Sequence, residues 1–110
     1  FNPVYVNQLA RIIKELVITK DISGILNVGS KEYISKYKFL IKLAEVFNIS
    51  KSLIISKSID DINFDAIRPR NTTLNLDKFE YVFKEIPSID EGIMELRNDY
   101  DNFFSNKEGF

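Results

Sequence analysis

The chain has 110 residues, enough for one domain with a modest core. Hydrophobic residues make up 45% and charged residues 28%, a balance typical of globular proteins and unlike that of disordered ones. A net charge of −1 gives no basic surface for nucleic acid, and the absence of Cys and His excludes disulfides and Ser-His-Asp triads.

No apolar run approaches the roughly 20 residues that cross a membrane, and the opening FNPVYV lacks the features of a signal peptide. We therefore expect a cytoplasmic protein without membrane or nucleic-acid partners. The first residue is not methionine, so we also expect the sequence to begin within a longer protein.

The first half of the chain predicts two strands, each followed by a helix. Residues 4–6 form a β-branched and aromatic run, and residues 25–28 a mainly aliphatic one that Gly29 ends; both are typical of short strands. Asn7 is a candidate cap for the first helix, and Ser35 and Asn48 bound the second. Apolar residues recur at helical spacing in both helices: Leu9, Ile12, Ile13, Leu16 and Val17 in the first, and Phe39, Leu40, Leu43, Ala44 and Phe47 in the second.

The second half predicts a third strand over residues 53–55, a polar loop and two further helices. A short helix is expected to start near Asp77, and the last helix at Ser88, which with Glu91 has capping-box spacing. The side chains expected to face inward are Leu76, Phe79, Val82 and Phe83 in the first of these, and Ile89, Ile93, Leu96, Tyr100 and Phe103 in the second. Residues 105–110 read as a frayed tail, and residues 1–110 as a single α/β domain of three to four helices with short strands.

Two local patterns have simple structural explanations. Asp60, Asp61 and Asp65 lack EF-hand spacing, and a solvated loop explains them better than a cation site, so we expect no metal. The basic and aromatic segment 31–47 looks superficially like a nucleic-acid stacking surface, but its helical period accounts for it, with lysines outside and apolar residues inside.

The segment AIRPRNTTLNLDKF, residues 66–79, carries the strongest chemical signal. Arginine grips phosphate through a planar fork of donors, and Pro69 restricts the backbone of Arg68. Asn71 and Thr72 add neutral donors nearby. This pattern predicts a phosphate or pyrophosphate site. The alternative is a surface loop whose arginine pairs with an aspartate (Asp61, Asp65 or Asp77), and the residues alone leave both interpretations open.

Three segments in order carry a family resemblance: NPVYVNQLARII, GILNVGSKEYISKYKFLIKLAEVF and RPRNTTLNLDKF. Together they resemble the C-terminal substrate-binding part of the extended short-chain dehydrogenase/reductase superfamily. The nearest likeness is to dTDP-4-dehydrorhamnose reductases and related nucleotide-sugar reductases and epimerases. In those proteins a signature of the form Arg-Pro-x-Asn-Ser/Thr precedes a leucine and a lysine.

The resemblance implies a substrate-binding lobe whose N-terminal Rossmann half, absent here, binds NAD(P)H and carries a catalytic Tyr-x-x-x-Lys pair. This chain contains no such pair and no glycine fingerprint, so we expect it to lack catalytic and cofactor-binding residues of its own. The residues four positions after the five tyrosines are Leu9, Tyr37, Ile41, Glu85 and Phe104. A fingerprint and a Tyr-x-x-x-Lys pair upstream of Phe1 would indicate an enzyme, and their absence a binding module.

The resemblance also implies a role for each residue of the Arg-Pro signature. Carried over, Arg68 lies near the diphosphate of a nucleotide sugar, Asn71 and Thr72 shape the loop or contact the ligand, and Lys78 lies on a helix surface. Asn2 stands where the family usually has threonine, and residues 7–8 replace an acidic pair. These departures bear on the identity of the sugar more than on the fold.

The function so implied is dTDP-sugar binding within an NAD(P)H-dependent reductase of deoxysugar and cell-surface polysaccharide synthesis, as in dTDP-rhamnose biosynthesis. The alternatives are the same lobe from a nucleotide-sugar epimerase or dehydratase, and a non-catalytic binding module. The expected partners are the nucleotide sugar and the Rossmann half. The predicted strand 25–28 would expose unpaired backbone groups, which also makes a homodimer a reasonable expectation.

Overall fold

A computed structural model of the chain describes residues 1–19 and 21–106, and this part of the chain contains helices and no strand. Its four α-helices are α1 (Val6–Thr19), α2 (Lys36–Phe47), α3 (Asp77–Val82) and α4 (Ile89–Ser105). Two short 3₁₀ helices, Lys51–Leu53 and Ile59–Asp61, lie between α2 and α3. The four predicted helices are all present.

The predicted α/β fold is wrong, because none of the three expected strands forms among the described residues. Residues 4–5 lead into α1, residues 25–28 have no regular secondary structure, and the third run begins inside the 3₁₀ helix Lys51–Leu53. A β-branched run becomes a strand only where a neighbouring strand accepts its backbone bonds, and the described chain offers no such neighbour.

Asn2 makes some of the hydrogen bonds that a paired strand would have made in this region. Its backbone oxygen accepts from the Ser30 amide at 3.3 Å. Its side chain accepts from the Leu74 amide at 2.9 Å and donates to the Leu74 carbonyl at 3.2 Å. Gly29 lies against Asn2 so closely that a Cβ there would meet the amide nitrogen at 2.8 Å. The segments around residues 2, 30 and 74 are therefore joined by a buried amide instead of a sheet.

Two of the four predicted caps are confirmed. The Ser35 hydroxyl accepts from the Lys38 amide at 3.2 Å, and Asn48 ends α2 in the left-handed conformation with φ 54°. Asparagine is one of the few residues that tolerate this conformation.

The other two predicted caps do not form. Asn7 lies within α1, and Gln8 reaches back to accept from the Tyr5 amide at 3.2 Å. At α4 the Ser88 side chain makes no capping bond, and the Ile89 amide instead donates to a Glu32 carboxylate oxygen at 3.1 Å. The start of α1 therefore uses a local partner three residues along the chain, whereas the start of α4 uses one that lies 57 residues away in sequence.

The main core forms where α1, α3 and residues 26–28 meet. Its buried residues are Ile12, Leu76, Phe79 and Phe83, with Leu16, Leu26, Val28, Val82 and Ile86 packed against them. Phe79 is fully buried and stacks on Phe83 with ring centroids 4.6 Å apart. The inward face predicted for the short helix is confirmed.

A second packing region joins α2 to α4. Ala44, Ile89 and Ile93 are buried in this region. Gly92 allows α1 to approach, since a Cβ there would lie 2.8 Å from the Gln8 side-chain oxygen. The predicted inward stripe of α4 is correct in its first half only, because Tyr100 and Phe103 are about half exposed.

The chain is more open than a typical domain of its length. Its radius of gyration is 17.1 Å, against roughly 13 Å for a compact chain of about 100 residues. The part of α1 that faces away from the core shows an apolar stripe in which Val6, Ile13 and Val17 are exposed. The apolar face predicted for α1 is therefore only partly covered.

Two further expectations concern the ends and the environment of the chain. Ser105 is the last residue of α4 and Asn106 its cap, whereas residues 107–110 of the predicted tail lie outside the described residues. Among the helices that are described, none combines the length and apolar character needed to cross a membrane.

The packing of α4 gives a first testable prediction. Leu96 is half-buried and lines a small apolar cavity beside α2, whereas Met94 on the same helix is exposed. Leu96→Ala should lower the free energy of unfolding by about 1–2 kcal/mol, less than for a fully buried leucine. Met94→Ala should change it by under about 0.5 kcal/mol. Urea denaturation followed by circular dichroism measures both, and equal midpoints for the two variants would show that α4 packs with a different face.

Candidate functional site

The Arg-Pro segment lies in the long connection between α2 and α3, and both of its arginines turn back toward residues 59–65. Arg68 is exposed, and its guanidinium carbon lies 5.3 Å from the centre of the Phe64 ring. Within the described parts of the chain, Arg68 forms no ion pair. Its charge and its N–H donors therefore remain available to an anion.

Arg70 has a carboxylate partner, unlike Arg68. Its Nη2 atom donates to the two carboxylate oxygens of Asp60 at 2.7 and 2.9 Å. Asp60 is held in place by the 3₁₀ helix Ile59–Asp61, whose cap Ser58 accepts from the Asp60 amide at 3.2 Å. The pairing that the surface-loop interpretation expected exists, but it involves Arg70 and an aspartate outside the expected set.

Asn71 and Thr72 follow directly and are both exposed. The Asn71 side-chain oxygen accepts from the Thr73 amide at 2.9 Å, which forms a local turn and leaves its side-chain NH₂ free to donate. The structure thus places Arg68, Asn71 and Thr72 on one continuous exposed stretch, and their binding role stays a prediction.

A shallow concavity of about 400 Å³ lies beside this stretch. Its lining includes Phe64, Arg68 and Arg70 together with Asp60 and Asp65. The pairing of Asp60 with Arg70 leaves one cation, Arg68, and one acid, Asp65, without an ion-pair partner on this wall among the described residues. Local charge at the concavity is therefore balanced, and an anion would be held by directed donors more than by a general positive field.

Lys78 is on the surface of α3, as the resemblance implies, and it also joins two segments. Its ammonium group donates to the carbonyls of Ser23 and Ile25 at 2.8 and 2.9 Å. Asn27 adds a bond to the Asn75 carbonyl at 3.1 Å. The lysine of the signature therefore joins α3 to residues 23–25, and two of its three N–H donors are engaged in this contact.

The structure also shows a polar cluster between α1 and α4 that sequence reasoning missed. Tyr5 Oη donates to Asp99 at 2.8 Å, and this hydrogen bond raises the pKa of the Tyr5 hydroxyl above its ordinary value. Arg11 pairs with both carboxylate oxygens of Glu95 at 2.6 and 2.7 Å and lowers the pKa of Glu95. A signal existed, since Arg11 and Asn7 on α1 have the same four-residue spacing as Glu95 and Asp99 on α4. The cluster docks two helices, and nothing in it resembles a nucleophile with its base.

Among the described residues, the glycines do not form the phosphate-binding turn of a dinucleotide site. A dinucleotide site needs glycines that let the pyrophosphate approach a helix start. Here the space beside Gly29 and Gly92 is filled by Asn2 and Gln8, and Gly24 has φ 78° in a bend near Lys78. Among the described residues, no group of three or more carboxylates, imidazoles or thiols is arranged to hold a metal ion.

Comparison with known proteins gives one distant relative. Over 90 residues the chain is 26% identical to methionine adenosyltransferase 2 subunit beta of Danio rerio, a stretch that covers 78% of this chain and 28% of that protein. The chain thus spans less than a third of the length of this curated relative. No family model and no solved structure matches the chain.

The subunit is a protein of the short-chain dehydrogenase/reductase type, so the comparison supports a distant link between this chain and that kind of protein. This link concerns the broad type of protein only, and it agrees with the resemblance carried by the three sequence segments. The particular family, the reductase activity and the rhamnose pathway stay predictions.

Proposed function

We propose that the chain is the nucleotide-sugar-binding part of a larger reductase-like protein, and that its exposed Arg-Pro loop binds the diphosphate of a dTDP-sugar. The observation that carries this proposal is the difference between the two arginines. Arg70 is neutralised by Asp60, whereas Arg68 is exposed without a carboxylate partner among the described residues. An unpaired guanidinium in a loop stiffened by proline suits an ionised phosphate.

In this proposal Arg68 gives bidentate hydrogen bonds to the diphosphate, and Asn71 and Thr72 donate to neighbouring oxygens of the ligand. A Rossmann half elsewhere in the longer protein would supply the NAD(P)H site and the catalytic tyrosine. A nucleotide-sugar epimerase or dehydratase would use the same loop in the same way, so the proposed binding site is common to the three reactions. Homodimer formation would be compatible with each of these reactions.

A second candidate is a non-catalytic module within a protein assembly. It is favoured by the nature of the distant relative, whose name describes a subunit of an adenosyltransferase. The exposed apolar stripe of α1, which includes Ile13 and Val17, offers surface for a protein contact. Under this candidate the Arg-Pro loop would bind a nucleotide without any reaction following.

Equilibrium binding tests the proposal directly. Calorimetric titration of the chain with a dTDP-sugar should give saturable binding, and dTDP should retain most of the affinity because the diphosphate carries the main contact. The free hexose should bind more weakly by at least about tenfold, since it lacks the charge-assisted bonds. Equal affinity for the free sugar and the dTDP-sugar would show that the diphosphate is not recognised.

The chain by itself should show no reductase activity. It contains neither a Tyr-x-x-x-Lys pair nor a glycine fingerprint. The measurement is the absorbance of NADPH during incubation with dTDP-4-keto-6-deoxyhexose, compared with a boiled sample of the same protein. Turnover above the boiled sample would mean that another set of residues in this chain carries out the hydride transfer.

A further inference from the structure

We infer that Phe64 is a positioning residue that holds the Arg68 guanidinium ready for an anion while leaving its hydrogen-bond donors unoccupied. The inference rests on the proposed function and extends it to a residue outside the Arg-Pro signature. Phe64 precedes Arg68 by four residues and lies with it on the wall of the same concavity. Phe64 is 41% exposed, and the Arg68 guanidinium carbon is 5.3 Å from the centre of its ring.

The chemistry of the partner decides what Arg68 can still do. An aromatic face attracts a guanidinium through its quadrupole, but it is neutral and offers no lone pair to the N–H groups. A carboxylate would instead cancel the charge and take up donors, as Asp60 does with Arg70. The ring therefore restricts the side chain without consuming its binding capacity.

This restriction matters because arginine loses much rotamer freedom when it binds. Arginine has one of the largest rotamer entropies of any side chain. A side chain that already rests on a ring has fewer arrangements to lose, so more of its interaction with the phosphate appears as affinity. Pro69 limits the backbone and Phe64 limits the side chain, so the two residues constrain Arg68 at different levels.

The first test needs no ligand. The Nε–H proton of Arg68 should show a ring-current shift in its NMR resonance, and Phe64→Leu should move that resonance toward the value of a free arginine. Ile62→Ala is the matched control, because Ile62 lines the same concavity and is 43% exposed. An Arg68 resonance unchanged by Phe64→Leu would overturn the inference and leave the proposed function untouched.

The second test uses dTDP as the probe in calorimetric titrations. Phe64→Leu should weaken binding about two- to fivefold, Phe64→Trp should bind at least as tightly as the natural residue, and Ile62→Ala should change little. In an Arg68→Ala background, Phe64→Leu should have no further effect, since its action passes through the arginine.

Two results separate failure of this inference from failure of the proposed function. If Phe64→Leu weakens binding equally with and without Arg68, the ring acts on the ligand itself and the positioning role is wrong. If dTDP fails to bind, or binds the Arg68→Ala variant as well as the natural chain, the proposed function is wrong. In that case the ligand-free NMR test still decides whether Phe64 holds Arg68.

Discussion

Phe79→Ala is expected to remove about 3–5 kcal/mol from the free energy of unfolding, which is the largest stability effect that we predict. Phe79 is 0% exposed, stacks on Phe83 and lies at the centre of the cluster that joins α3 to α1. Truncation loses the transfer free energy of the ring and leaves a cavity that the surroundings fill only in part. A small domain has about 5–15 kcal/mol in total, so a loss of this size is a large share of the stability at the lower end of that range.

Urea denaturation followed by circular dichroism at 222 nm measures this effect. Tyr81→Ala is the control, since Tyr81 is an aromatic residue of the same helix that is 93% exposed and should cost under about 0.5 kcal/mol. Should the alanine variant not fold, Phe79→Leu still gives a smaller loss that can be measured. A midpoint shift no larger than that of Tyr81→Ala would mean that α3 does not anchor the core.

Arg68→Ala is expected to weaken dTDP-sugar binding by about ten- to a hundredfold. A hydrogen bond to a charged partner is worth about 1.5–3 kcal/mol, which corresponds to that range of affinity. Arg70→Ala should weaken dTDP-sugar binding by less than about fivefold, because Asp60 already engages Arg70. The two side chains form an exposed ion pair and are 74% and 61% exposed. Arg68 and Arg70 are separated by one residue and carry the same charge. The comparison of the two alanine variants therefore controls for loop position and for net charge.

Two further variants sharpen the comparison. Arg68→Lys keeps the charge but loses the fork of donors, so it should recover only part of the affinity. Asp60→Asn frees Arg70 and should leave binding unchanged or make it slightly tighter. Equal losses in Arg68→Ala and Arg70→Ala would indicate a general basic patch, and an unchanged affinity in Arg68→Ala would make the segment an ordinary surface loop.

The helices could be predicted from the sequence because their information is local. The cap residues Ser35 and Asn48 and the apolar stripe around Phe79 depend on spacing within one turn or two. That no strand forms could not be predicted in the same way. Residues 25–28 have the composition of a strand, but a strand needs a neighbour, and the described chain does not provide one. The same limit applies to the start of α4, where the bonding partner, Glu32, lies 57 residues away in sequence.

The candidate site divides in the same way. The Arg-Pro signature and its chemistry are visible in the sequence, and so is the choice between a ligand and an aspartate partner. The pairing of Arg70 with Asp60 is not visible in the sequence, because it depends on how the capped 3₁₀ helix Ile59–Asp61 positions Asp60. The contact between Phe64 and Arg68 likewise depends on the path of an irregular loop that no periodicity describes.

The most direct test of the proposed binding site is a ¹⁵N-HSQC titration of the chain with a dTDP-sugar. Binding through the Arg-Pro loop predicts saturable chemical-shift changes concentrated in residues 64–73, and the change of the Arg68 side-chain resonance should be among the largest. The resonances of α1 and of the exposed face of α4 should not move. Saturable shifts elsewhere, for instance around Arg11 and Lys84 in the cavity of about 550 Å³ between α1 and residues 82–87, would contradict it. The absence of any shift in the loop at millimolar ligand would contradict it equally.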